Sequence, residues 1–165
     1  PWFLGYGSDQ LDLISTAQVI NDSMTDHIID LLREELGSLD GKRTAPLGVA
    51  YKGNVGDTRE SPGLDLATKL QDAVEKAVAT ADGGVPSEKD GLDILLHVPH
   101  VDDQVIDLVD LDIAIIDADT TVITSDHDEF EQLNPGIVSD RMAGNILLDT
   151  KSAIYSGMGI RRIHC

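Results

Sequence analysis

The stretch Leu47–Leu70 reads LGVAYKGNVGDTRESPGLDLATKL and decides how the rest of the chain is interpreted. Its first five residues, Leu47–Tyr51, form an apolar run of strand length, and a polar loop rich in glycine follows. Apolar residues at helical spacing begin after Ser61 and Pro62. Serine is a favoured N-cap, and proline is favoured at the first helical position because its missing N–H costs nothing there. The stretch therefore predicts a strand, a polar loop and a helix.

Two cations, Lys52 and Arg59, flank this loop. The carboxyl end of a parallel strand and the N-terminus of a helix both suit anionic ligands, the helix through its free amides and its dipole. The pattern therefore predicts a site for a phosphorylated ligand. An ordinary strand–loop–helix turn with two surface cations fits the same residues, since a fold-level position does not by itself make a site.

The composition is strongly acidic. The chain of 165 residues carries 30 Asp and Glu against 12 Lys and Arg, a formal net charge of −18. Nucleic acid and anionic membranes would be repelled, so we expect neither as a partner. The hydrophobic content of 41% is too high for a disordered acidic segment. Because the acidic residues are spread evenly, they favour a halophilic protein over an acidic mesophilic domain.

Length and residue usage also restrict the class of protein. The length suits one domain with an appendage. The sequence has no signal-like segment and no apolar run long enough for a bilayer, and we expect a fragment of a soluble, cytoplasmic protein. The single cysteine, Cys165, is the last residue, which makes it a poor candidate nucleophile. The turns that contain His and Asp fit no ligand spacing, so we expect no metal site.

Ser8–Leu36 is helical by pattern. Its apolar residues recur at spacings of three and four and form one stripe: Leu13, Ala17, Ile20, Met24, Ile28 and Leu31. Thr25 and Asp26 could cap a second helix, which would put a break at Asn21–Ser23. The stripe is too long for one small domain to bury, so it should pack against another chain or a further domain. Gly37–Lys42 ends the helix and links it to the next unit.

The remaining chain alternates between strand and helix patterns. The helix after Ser61 should run to Val78, and a loop should follow at Thr80–Gly91. Strands are predicted at Leu92–Val98, Thr120–Thr124 and Ile146–Leu148, Gln104–Asp119 fits strand or buried helix, and a turn-rich basic tail starts at Ser156. Near-continuous apolar strands between helices predict an α/β fold, a parallel sheet with helices on both faces.

Two motifs in the central stretch carry a resemblance to a known family. Gly48-Val49-Ala50-Tyr51-Lys52 and Asp57-Thr58-Arg59-Glu60-Ser61-Pro62 resemble the third, UDP-binding domain of the UDP-glucose/GDP-mannose dehydrogenase family. Pro1-Trp2-Phe3 is similar to the segment after the catalytic cysteine in one branch, the UDP-N-acetylmannosamine dehydrogenases. Ser125–Phe130 resembles a further family turn. Val98 departs from the pattern, because the family has an aspartate there.

The resemblance implies a domain organisation. Residues 1–40 would be a remnant of a central helical dimerisation domain, and residues 41–165 would be the C-terminal UDP-sugar-binding domain with a Rossmann-like sheet. The long helices of Ser8–Leu36 would then form a homodimer.

The resemblance also implies an activity. Such enzymes oxidise the C6 alcohol of a UDP-sugar, UDP-glucose or UDP-N-acetylmannosamine, to a uronic acid for polysaccharide biosynthesis, with NAD as cofactor and a cysteine nucleophile. This chain contains neither that cysteine nor a GxGxxG fingerprint, so it would hold no catalytic residue, and NAD would be bound mainly by a domain outside it.

Four residues carry the implied site. Lys52 would reach the diphosphate of the UDP-sugar as a point charge, with Tyr51 beside it. Lys151 resembles a family cation that reaches the UDP moiety of a neighbouring active site. Arg59 would contact NAD, and a local salt bridge to Asp57 or Glu60 is the alternative.

Two other classes of function fit the same residues. One is a non-catalytic nucleotide-binding or regulatory module, and the other is an oligomerisation unit built on the long helices.

Overall fold

The computed structural model describes residues 12–59, 61–80, 92–99, 101, 107–154 and 161–164. In chain order the elements are α1 (Asp12–Leu36), β1 (Arg43–Leu47), α2 (Pro62–Thr80), β2 (Asp93–Ile94), α3 (Leu111–Ile115), β3 (Thr120–Ile123), α4 (Asp128–Glu131), α5 (Pro135–Arg141), β4 (Ile146–Asp149) and β5 (Arg161–His164).

The strands form a five-stranded sheet in the order β2-β1-β3-β4-β5. Every pairing is parallel, with Thr44 opposite Thr120, Thr120 opposite Ile146 and Ile146 opposite Arg161. From β1 the chain first adds β2 on one side and then crosses to add β3 on the other. The direction of winding therefore reverses between β1 and β3, and in open parallel sheets such a switch point opens a crevice at the carboxyl ends of the strands.

Helices cover both faces of the sheet, as the sequence predicts. On one face, strand residues pack with α3, α5 and the buried Phe130; this core includes Ala45, Leu47, Ala114, Ile115, Ile123, Val138 and Leu147. On the other face α1 and α2 lie over β3 and β4; this core includes Ile28, Ile29, Leu32, Leu66, Leu70, Val122 and Leu148. The predicted Rossmann-like α/β fold is confirmed.

The position predicted for the first strand is wrong. The sequence placed it at Leu47–Tyr51, whereas β1 is Arg43–Leu47 and ends where the prediction begins. Gly48 has a φ of 82° and turns the chain out of the sheet. The apolar residues Val49 and Ala50 do not extend the strand; they are fully buried against Val98 in a small core beneath the loop.

The break predicted at Asn21–Ser23 is also wrong, because α1 is one continuous helix of 25 residues. Polar side chains in this part are satisfied within the helix. Gln18 Nε2 donates to Asp22 Oδ1 at 3.0 Å, and Ser23 Oγ donates to the Ile20 carbonyl at 2.8 Å. Thr25 is buried and does not begin a helix.

Only the C-terminal half of α1 packs on the domain. Ile28, Ile29 and Leu32 are buried, but Leu13, Val19 and Ile20 are 82%, 61% and 58% exposed. The domain does not bury the N-terminal part of the apolar stripe, as the sequence predicts, and the partner that would cover it stays a prediction.

The remaining strands and α2 agree with the prediction to different degrees. α2 begins at Pro62, where Ser61 Oγ accepts from Gly63 N at 3.2 Å, and β3 and β4 match the predicted strands. The run Leu92–Val98 forms only a two-residue strand with bridges at Leu96 and His97, and the ambiguous segment contains α3 and an isolated bridge at Leu108.

The strand β5 in the basic tail was not predicted. Pro1–Gly7, most of the loop after Thr80, and Cys165 lie outside the described residues. None of the described helices combines the length and apolar character that a bilayer span requires.

Candidate functional site

The carboxyl ends of β1 and β3 are joined at Gly48. Its carbonyl accepts hydrogen bonds from Thr124 Oγ1 at 2.9 Å and Ser125 Oγ at 2.6 Å. A Cβ at Gly48 would overlap Ser125 Oγ, and the positive φ there also favours glycine. The loop after β1 therefore starts from a fixed position at the switch point.

A second set of hydrogen bonds, which we term the Asn54 contact, ties this loop to the turn after β3. Asn54 N donates to His127 Nδ1 at 3.1 Å, Asn54 Nδ2 donates to Asp128 Oδ1 at 2.8 Å, and Asn54 Oδ1 accepts from Asp128 N at 3.1 Å. Gly53 N donates to Asp126 Oδ1 at 3.2 Å. The two residues immediately after Lys52 are therefore fixed to the turn between β3 and α4.

Tyr51 and Lys52 stand exposed on the loop, with Tyr51 61% exposed. The backbone N of Tyr51 donates to the Asp57 carbonyl at 2.8 Å and closes the loop on itself. Within the part of the chain that the structure describes, Lys52 forms no ion pair. Its ammonium is presented to solvent from a braced backbone.

Arg59 forms the local salt bridge that the sequence offered as an alternative. Its Nη2 lies 2.7 Å from Asp57 Oδ2, and its Nε donates to Asp57 Oδ1 at 2.9 Å. Hydrogen bonds from the Arg59 side chain and backbone lower the pKa of Asp57 to about 2. The arginine side chain is nevertheless 87% exposed, so its guanidinium remains accessible.

The helix N-terminus differs from the expectation of free amides. Gly63 N donates to Ser61 Oγ, and Leu64 N and Asp65 N both donate to the Ser61 carbonyl at 3.1 Å. The dipole of α2 still favours an anion, but its first amides are already engaged by the cap. Electrostatic attraction here must come mainly from side-chain cations.

A groove of about 540 Å³ lies between α1 and α2 at this edge of the sheet. Clefts for small ligands are typically roughly 300–1,000 Å³. Its lining residues are Asn21, Asp22, Met24, Thr25, Ile28, Ser61, Pro62, Leu64, Asp65, Thr68, Lys69, Thr124, Thr150 and Lys151. Of the four predicted site residues, only Lys151 lines it; Tyr51, Lys52 and Arg59 lie on the loop after β1.

Lys69 links the two helices that form the groove. Its Nζ lies 3.1 Å from Asp26 Oδ1 on α1 and 3.3 Å from Asp65 Oδ2 on α2. Partial burial opposes the charged form, but hydrogen bonds to Asp26 and Asp65 outweigh it and raise the pKa of Lys69. The lysine therefore stays charged and holds α1 against α2.

Lys151 is exposed and follows a buried carboxylate, Asp149, at the end of β4. Lys151 N donates to Asp149 Oδ1 at 3.1 Å, and Arg162 Nη2 on β5 lies 2.8 Å from Asp149 Oδ2. Neither Asp149 nor Arg162 was predicted from the sequence as a site residue. An aspartate that ends an apolar strand was the available signal for the first of them.

The described residues contain no cluster of three or more His, Cys, Asp or Glu side chains that could hold a metal ion.

Comparison with known proteins gives a consistent result. The family described as "UDP-glucose/GDP-mannose dehydrogenase family, UDP binding domain" matches residues 45–156. The UDP-N-acetyl-D-mannosamine dehydrogenase of Methanocaldococcus jannaschii is 31% identical over 157 residues, covering 93% of this chain and 33% of that protein. The NDP-N-acetyl-D-galactosaminuronic acid dehydrogenase of Ralstonia nicotianae is 25% identical, covering 92% of this chain and 32% of that protein.

A solved structure is also similar. The UDP-N-acetyl-mannosamine dehydrogenase of Staphylococcus aureus superposes with a TM-score of 0.74 at 26% identity, covering 99% of this chain and 35% of that one. The chain spans about a third of the length of the curated relatives it matches. Both motifs around Lys52 and Arg59 fall within the matched residues. The chain therefore belongs to the UDP-glucose/GDP-mannose dehydrogenase family, whose UDP binding domain it carries.

Proposed function

We propose that this chain is the C-terminal, UDP-binding part of an NAD-dependent UDP-sugar 6-dehydrogenase. The parent enzyme would oxidise the C6 alcohol of UDP-N-acetylmannosamine or UDP-glucose to a uronic acid. The proposal rests on the position of Lys52: it is an accessible cation on a loop that hydrogen bonds hold in place, at the switch point of the parallel sheet. Membership of the family and the names of the relatives support it.

Lys52 binds the diphosphate in this proposal, because a lysine ammonium acts as a point charge toward phosphate oxygens. Tyr51 presents an exposed ring beside it for the sugar nucleotide. Lys151 adds a second cation in the groove between α1 and α2. A net charge of −18 would repel a nucleotide elsewhere on the surface, which makes local cations decisive for binding.

In this proposal the chain contributes one contact to NAD, which another domain binds. The exposed guanidinium of Arg59 suits a contact with the phosphates of NAD held by another domain. When bound, NAD accepts the hydride from the substrate alcohol. The sequence supplies no GxGxxG cradle, so Arg59 is the one NAD contact that we propose for this chain.

We also propose that residues 1–40 belong to a central helical unit that forms a homodimer through Ser8–Leu36, and that residues 41–165 form the UDP-binding domain. The exposed Leu13, Val19 and Ile20 support this, since such a stripe needs a partner surface. Sedimentation equilibrium of the chain in molar KCl should give a dimer, and the double variant Val19→Lys, Ile20→Lys should give a monomer. A monomeric wild type would remove the proposal.

UDP binding by calorimetry in molar KCl tests the nucleotide site. Lys52→Ala should weaken binding about 10- to 100-fold, the equivalent of a charge-assisted hydrogen bond of about 1.5–3 kcal/mol. Lys42→Ala is the matched control, because Lys42 pairs with Asp119 just before β1, at the end of the strands opposite to Lys52. Lys42→Ala removes the same charge as Lys52→Ala and should leave the affinity for UDP within about twofold of wild type.

Two results would contradict the proposal: no UDP binding by a folded wild-type chain, or equal losses in the two variants. A non-catalytic nucleotide-binding module would pass the same test. The sequence upstream in the full-length protein separates it from the dehydrogenase, which needs a glycine-rich segment with a cysteine and an earlier GxGxxG.

A further inference from the structure

Asp149 is a buried carboxylate that accepts hydrogen bonds from the loop after β4 and pairs with Arg162 on β5. It is 1% exposed. Its Oδ1 accepts from Lys151 N and Ala153 N at 3.1 Å each, and its Oδ2 accepts from Ile154 N at 3.0 Å and lies 2.8 Å from Arg162 Nη2. A buried charge is tolerated only when it is paired and hydrogen-bonded, and this carboxylate has both kinds of partner.

The loop that carries Lys151 is shaped by these bonds. Three of its amides turn inward to one carboxylate, and Ser152 adopts a φ of 56°, which is uncommon for a residue other than glycine. On the other side, Thr150 N and Oγ1 donate to the Ile123 carbonyl at 3.2 and 2.8 Å. The backbone of Lys151 is therefore held from both directions.

The counter-charge comes from β5, which lies outside the residues that the family matches. Arg162 is opposite Leu147 in the sheet, and its side chain is only 14% exposed. Without this guanidinium, Asp149 would be a buried carboxylate facing amides alone. The charged donor on Oδ2 would be lost, Ile154 N would remain as its donor, and the negative charge would be compensated by the loop amides alone.

We propose that Asp149 and Arg162 are positioning residues of the nucleotide site, which hold the backbone of Lys151 so that its ammonium faces the groove between α1 and α2. This inference rests on the proposed function, because it assigns Lys151 to the UDP moiety. It gives β5 a role in ligand binding, although Arg161, Arg162 and Ile163 do not line the groove.

UDP affinity of the whole chain, measured by calorimetry in molar KCl, tests this inference through a double-mutant cycle. Arg162→Gln should weaken UDP binding about tenfold, and Arg162→Lys should recover most of that loss. Lys151→Ala should weaken it similarly. The double variant should be no weaker than Lys151→Ala alone, because Arg162 acts through Lys151. Arg161→Gln is the matched control: its Nη2 donates to Glu35 Oε1 at 2.9 Å, and its loss should leave the affinity unchanged.

A purely structural role would give a different result. Additive losses in the double variant, or unchanged affinity in a folded Arg162→Gln protein, would overturn the inference. If Arg162→Gln does not fold, amide hydrogen exchange in Asp149→Asn, which weakens the acceptor of the three loop amides, replaces it. The amides of Lys151, Ala153 and Ile154 should exchange at least tenfold faster than in wild type, and unchanged exchange would overturn the inference.

The two proposals fail in distinguishable ways. If Lys52→Ala abolishes UDP binding but Lys151→Ala does not weaken it, the UDP site stands and the role of Asp149 and Arg162 in it is refuted. If the folded wild type binds no UDP, the proposed function fails, and the positioning of the ligand-binding loop fails with it.

Discussion

Replacing Asn54 tests whether the Asn54 contact holds the loop of Lys52. Asn54 has a φ of 59°, a conformation that glycine adopts freely and alanine does not. Both Asn54→Gly and Asn54→Ala remove the two side-chain hydrogen bonds to Asp128 and leave the backbone bond to His127 available. The two variants differ mainly in backbone strain, which makes them a matched pair.

The magnitudes follow from those contacts. Two hydrogen bonds at an exposed residue contribute about 0.5–1 kcal/mol each, at the lower end of the usual range. Asn54→Gly should therefore lower the free energy of unfolding by about 1–2 kcal/mol. Asn54→Ala loses the same bonds and adds roughly 1 kcal/mol for a left-handed alanine, so it should cost about 2–3 kcal/mol.

Urea unfolding in molar KCl, followed by circular dichroism, measures these differences. Asp128→Ala supplies the cross-check, since it removes the acceptor of the Asn54 Nδ2 bond. Combined with Asn54→Gly, it should be less than additive. We also expect UDP affinity to fall in Asn54→Gly, because Lys52 lies two residues before the lost contact.

The reasoning would be refuted if Asn54→Ala were as stable as Asn54→Gly, because the left-handed backbone would then carry no cost. Stabilities of both variants within about 0.3 kcal/mol of wild type would refute the energetic role of the contact itself.

Two further predictions concern charge. The pKa of Asp57 is lowered from 3.8 to about 2, so its ion pair with Arg59 stabilises the loop fully above pH 3.8 and is lost as the pH falls through about 2. NMR titration of the Asp57 carboxyl should show this midpoint. In Arg59→Gln the midpoint should return toward 3.8. With a net charge of −18, self-repulsion should be screened by salt, so the thermal midpoint should rise between 0.1 and 3 M KCl; a flat response would refute the halophile hypothesis.

The error in β1 has a physical cause. The strand RTAPL carries a proline at its fourth position, and a proline in a central strand usually argues against a strand. Pro46 is accepted because it faces the segment that follows the two-residue edge strand β2, where its carbonyl accepts from His97 N at 3.1 Å. Val49 and Ala50, which are more apolar, belong to the buried loop after Gly48. A prediction from hydrophobicity alone therefore placed the strand after Gly48 instead of before it.

Local signals located the cap and the cations, but not the contacts that hold them. Ser61, Lys52 and Lys151 could be identified from their neighbours in the sequence. The bond from Asn54 to Asp128 joins residues 74 positions apart, and no local pattern predicts such a contact. The strand β5 was not predicted because it begins with Arg161 and Arg162, and charged residues on an edge strand resemble a solvated tail.

The continuity of α1 has a consequence for how the groove responds to its surroundings. One uninterrupted helix of 25 residues, about 37 Å long, carries the exposed apolar residues at one end and a wall of the groove further along. A partner seated on the exposed half and a ligand in the groove would therefore contact the same helix. If one of them changes the tilt of α1, the affinity for the other changes, and by thermodynamic linkage the effect is equal in both directions.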